Sequence, residues 1–92
     1  MADQPNEGDT VFDLVFEAFD RSSLVLHLSF ETTSPQDRIL RARQARDGFL
    51  IALHELEILP DSVKSTAEWQ VWYQEVQHGL TESQRRLELL EE

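Results

Sequence analysis

Residues 10–33 read TVFDLVFEAFDRSSLVLHLSFETT, and the way this block folds decides the class of the whole chain. Two templates compete for its first half. As a helix, Asp13, Glu17 and Asp20 fall at i, i+4 and i+7, one polar stripe on an otherwise apolar rod. Thr10 and Asp13 would then form a capping arrangement. As a strand, Phe12, Leu14, Phe16 and Ala18 share one face, and Val11, Asp13, Val15, Glu17 and Phe19 the other. The second half breaks the tie. Leu24, Leu26, Leu28 and Phe30 alternate strictly with Val25, His27, Ser29 and Glu31, the pattern of a half-buried strand. Asp20-Arg21-Ser22-Ser23 lies between the halves with the length and chemistry of a hairpin turn. Val and Phe also suit a pleated surface. The block therefore predicts a β-hairpin over 10–32, with edges that lack Pro and Lys and need covering.

The remainder reads as helical. Ser34 is placed to cap, Pro35 suits a first helical position, and Asp37 complements the positive helix start. Ile39, Ala42, Arg46, Phe49, Leu53 and Leu56 then track one face of a helix over 35–59, which Pro60 stops. Gly48 within it marks a bend or a close packing contact. Ser65-Thr66-Ala67-Glu68 is a capping box for a helix over 65–79. Gly79 predicts a bend there, and Thr81-Glu82-Ser83-Gln84 opens a short last helix over 81–91. Residues 1–8 are polar, include Pro5 and Gly8, and read as a disordered tail ahead of one small domain over 9–92. The fold class expected is α+β, an N-terminal β-hairpin packed on two or three α-helices; the alternative is an all-α small helical bundle.

A chain of 92 residues buries roughly 60–65% of its unfolded surface, so small domains recruit disulfides, metals or self-association. With no cysteine, disulfides and thiolate zinc sites are excluded, and a homodimer or other homo-oligomer is expected. The charge is lopsided. Residues 1–33 carry seven acids and one base, 34–59 four of each, and 60–92 seven acids and three bases, giving −10. Such a chain is repelled by nucleic acid and by anionic lipid. No stretch approaches the roughly 18 apolar residues of a membrane span, and the acidic start is not a signal peptide. A soluble, cytoplasmic protein is expected, and the lack of cysteine suits a reducing compartment.

Candidate chemistry is sparse. His27 reads as a strand residue, while His54 and His78 read as cations at helix ends. Glu75-x-x-His78 has the spacing of carboxylate-bridged di-metal bundles, but those need a second copy and two more inward Glu residues. Gly-x-Ser-x-Gly, a glycine-rich phosphate loop and His-Glu-x-x-His are all missing. No enzyme activity, cofactor or metal is expected. Arg38, Arg41, Arg43 and Arg46 supply half of all cations within nine residues, a girdle suited to pairing with carboxylates, internal or on a partner. Trp69, Trp72 and Tyr73 spread over one side of their helix, and rings of this type anchor interfaces. These seven residues are the candidate partner-binding set. The function expected is an acidic protein–protein interaction module: an adaptor, an assembly factor or a chaperone-like protein. The alternative is a nucleic-acid-mimicking inhibitor of a basic protein surface, using Asp13, Glu17, Asp20, Glu31, Glu55 and Glu57.

Overall fold

The computed structural model describes residues 11–91. The predicted tail over 1–8 lies outside them. Three long helices and one helical turn follow in order: α1 (Asp13–Glu31), α2 (Pro35–Glu57), α3 (Asp61–Lys64) and α4 (Ala67–Glu91). Among the described residues there is no strand. The α+β expectation is thus overturned, and the architecture is that of the all-α alternative.

The β-hairpin over 10–32 fails because burial in α1 does not follow polarity. The buried positions are Phe12 at its N-cap and Val15, Ser22 and Ser29 within it, with Phe19 and Leu26 half-buried between them. Together they step along the chain by 3, 4, 3, 4 and 3, the spacing of a helix seam that packs knobs into holes. Two of those six positions are serines, while Leu14, Phe16, Leu24 and Phe30 stand on the outside, each more than half exposed. Interleaving exposed apolar residues with buried ones produces the strict alternation at 24–31 that mimics a strand. The apparent turn at Asp20–Ser23 is mid-helix, where the Ser22 hydroxyl donates to the Ala18 carbonyl at 2.6 Å. Ser29 does the same to Leu26 at 2.6 Å, so both seam serines are satisfied within their own helix.

The α2 start follows the sequence: Pro35 occupies the first turn and the Ser34 hydroxyl accepts from the Asp37 amide at 3.5 Å. Its buried face is Ala42, Ala45, Phe49, Ala52 and Leu56, again at steps of 3, 4, 3 and 4. The helix closes at Glu57, and Pro60 leads into the extra turn α3. For α4 the cap is Thr66 rather than Ser65, its hydroxyl accepting from the Trp69 amide at 3.2 Å. The bend expected at Gly79 is absent: α4 runs unbroken to Glu91, and its buried face is Val76, Gly79, Ser83 and Leu87. The capping sequence at Thr81–Gln84 lies mid-helix and starts nothing, and Ser83 donates to the Leu80 carbonyl at 2.8 Å.

The middle helix α2 packs closely on both others, whereas α1 and α4 run the same way and approach only sparsely. Small residues set these distances. A Cβ at Gly48 would collide with the Ser22 hydroxyl, so α1 and α2 nearly touch there. A Cβ at Gly79 would overlap the Phe49 ring, which seats itself against the bare backbone of α4. The same ring meets Phe19 of α1 edge-on, centroids 5.8 Å apart. Phe49 is therefore the point where all three helices meet. The molecule is long, 50 × 26 × 16 Å, with a radius of gyration of 15.2 Å. About 12 Å is usual for a compact domain of this length.

Two substitutions test this packing. Arg21→Pro sits at an exposed position that a hairpin turn would accept; in α1 it should cost about 3 kcal/mol or more, measured by urea denaturation. Gly79→Ala would gain about 1 kcal/mol at an open helical site. Against the Phe49 ring overpacking costs about 1–3 kcal/mol, which offsets or exceeds that gain, so a net loss of up to about 2 kcal/mol is expected, and a rise in midpoint would refute the slot.

Candidate functional site

The predicted residues take up different tasks. Arg38 donates through Nε to the carbonyl of Thr32, tying the end of α1 to the start of α2. Arg43 pairs with Glu91 at 2.9 Å, an exposed bridge from α2 to the last turn of α4. Arg46 pairs with its neighbour Asp47 at 3.1 Å. Arg41 makes no ion pair among the described residues. The four arginines are not gathered into one patch, and three of them engage the chain's own groups.

The aromatic trio is half-buried and lies against the core. Trp69 donates from its indole nitrogen to the Leu56 carbonyl at 2.9 Å, satisfying one of the last carbonyls of α2. Its ring stacks on Tyr73 at 4.9 Å and 16°. Trp72 stands apart from that pair, edge-on to Phe16 at 6.0 Å and to Phe19 at 5.5 Å. It bridges α1 to α4. Sequence reasoning had no way to find the residue that closes the other end of that bridge. Arg86 donates to the Ser29 carbonyl at 2.9 Å and lays its guanidinium 4.0 Å from the centre of the Phe30 ring. Its Nε is buried with no partner among the described residues.

Between these two bridges α1 and α4 enclose a groove of about 320 Å³ above α2. Phe19, Leu26, Phe30, Phe49 and Gly79 give it an apolar lining. Glu75, His78 and Glu82 from α4 face His27 and Ser23 from α1 across it. The Glu75-x-x-His78 pair thus lies on the groove, and His78 sits in mid-helix rather than at a helix end. No set of three His, Asp or Glu side chains placed to hold a metal ion occurs among the described residues. His27 instead pairs with Glu31 one turn on, at 2.9 Å, both well exposed.

A second groove of about 560 Å³ runs on the opposite face, between α1 and α2 beside Gly48. Leu14, Val25 and Ile51 are its apolar lining, and Glu17, Arg21, Asp47 and Glu55 are its charges. Of the acids named for a nucleic-acid mimic, Asp13, Glu17, Asp20 and Glu31 belong to α1, Glu17 and Glu55 both line this second groove, and Glu57 ends α2. None of the described helices is long and apolar enough to cross a membrane. Comparison with protein-family models, with curated proteins and with solved structures yields no match to this chain.

The tethers have different weights. Trp69→Phe keeps the stack on Tyr73 but removes the indole donor to the Leu56 carbonyl, leaving it only the longer bond from the Leu59 amide at 3.4 Å, and should lower stability by about 1 kcal/mol. Arg43→Gln removes only an exposed pair and should change it by less than about 1 kcal/mol. Chemical denaturation of the two variants side by side checks the ranking.

Proposed function

We propose that this chain is a small acidic protein–protein interaction module of the adaptor, assembly-factor or chaperone-like kind, acting by binding rather than catalysis and self-associating as a homodimer. One observation carries the reading. Among the described residues the helices leave ten large apolar side chains between 43% and 62% exposed, while seven of the thirteen buried positions are Ala, Ser or Gly. Fully covering a side chain of this size is favourable by about 1.5–3 kcal/mol, so the uncovered set is a substantial drive for association.

The face between α1 and α2 suits a second copy. Leu40 and Ile51 of α2 and Ile58 at its C-cap recur at i, i+11 and i+18, all exposed, and Leu14 joins Ile51 across the groove. Both signs of charge are present, Arg21 beside Glu17, Asp47 and Glu55. A two-fold contact can set the cation of each copy against the acids of the other, as self-complementary interfaces require. Absence of cysteine supports a cytoplasmic setting for such a module.

Light scattering from micromolar to millimolar concentration tests the reading. A concentration-dependent dimer is expected. The double variant Leu14→Gln/Ile51→Gln should remain monomeric with unchanged far-ultraviolet circular dichroism, since both side chains already lie more than half in water. A wild-type chain that stays monomeric throughout that range sinks the self-association.

A further inference from the structure

We propose that the groove between α1 and α4 receives one amphipathic helix of a partner protein, with an apolar stripe flanked by Lys and Arg. This deepens the interaction-module reading and rests on it. Shape is the first argument. Two helices running the same way above a third leave the position that a fourth helix fills in a bundle. The lining runs from Glu75 to Glu82 on α4 and from Phe19 to Phe30 on α1, the longer side roughly 16 Å at about 1.5 Å per residue, room for about three turns.

The second argument is the distribution of apolar surface. Phe19, Leu26 and Phe49 form the floor, Phe30 stands at one end, and Phe16 stands beside Trp72 at the other. A docked helix meets such a row with residues at i, i+3 or i+4, and i+7.

Charge decides the occupant. The groove is lined by the carboxylates of Glu75 and Glu82 with His27 and His78, and the cations beside it are already engaged, Arg85 with Glu82 at 3.6 Å and Arg86 with the Ser29 carbonyl and the Phe30 ring. The opposite groove differs in having Arg21. A second copy of this chain would bring ten net negative charges to an already acidic border. Residues 1–10 of the same chain carry Asp3, Glu7 and Asp9 and neither Lys nor Arg, so they have the wrong sign too. A basic helix is the one helical occupant whose sign is opposite, and opposite potentials also speed and select encounter.

The probe is an 18-residue helical peptide with Leu on one face and Lys and Arg on its flanks. A matched peptide carries Glu in place of every Lys and Arg. Both are titrated into the full chain by calorimetry, and binding is mapped by amide shifts. The basic peptide should bind at least tenfold more tightly, with shifts at 19–30 and 75–86. Glu75→Lys/Glu82→Lys should weaken the basic peptide at least tenfold and reverse the preference, while leaving the circular dichroism and the dimer intact. Equal binding of the two peptides overturns the proposal, as does a double variant within twofold of wild type or shifts confined to the α1/α2 face. If those results come while Leu14→Gln/Ile51→Gln still dissolves the dimer, the groove assignment fails and the interaction module stands.

Discussion

The fold turns on Phe49. Its ring reaches from α2 to both neighbours, edge-on to Phe19 and into the space where Gly79 has no side chain. Everything else on the buried side of α2 is small or aliphatic: Ala42, Ala45, Ala52 and Leu56. Close-packed interiors tolerate neither a missing nor an added methylene at such a point. Position 79 is consequently a glycine in the middle of a long helix, despite the roughly 1 kcal/mol that glycine costs there.

Small residues at the seams have a second consequence. Helices held close by Ser22, Gly48, Ala45 and Ala52 leave little volume between them for large side chains, and Leu14, Phe16, Leu24 and Phe30 of α1 stand outward. The result is an elongated molecule with two apolar grooves on opposite faces and a modest core. Surface charge then separates the grooves, one of mixed sign and one bordered by carboxylates and imidazoles. That separation gives a single small chain two grooves of different charge character.

Helix ends supply the remaining order. Arg38 and Arg86 both donate to carbonyls near the end of α1, and Trp69 to one near the end of α2. Side chains of Arg and Trp thus add donors to carbonyls at helix termini. Arg86 also shapes the groove directly, because its guanidinium covers one face of Phe30 and closes that end.

Local chemistry made part of this visible in the sequence. Ser34-Pro35 and Pro60 bracket α2 because capping and the missing proline N–H act within a few residues, whatever the rest of the chain does. The net charge of −10 and the absence of cysteine limit partners and cross-links in the same context-free way. Two things were decided only in three dimensions. Residues 13–31 form a helix because the seams select for size, accepting serine inside and leaving phenylalanine outside, so polarity alternates where burial does not. Gly79 is passed through rather than bent because the stopping signal in its sequence is outweighed by a ring on another helix that needs that vacancy. The candidate grooves were illegible for the same reason: each is built from residues more than twenty positions apart, brought together only when α2 takes its place between α1 and α4.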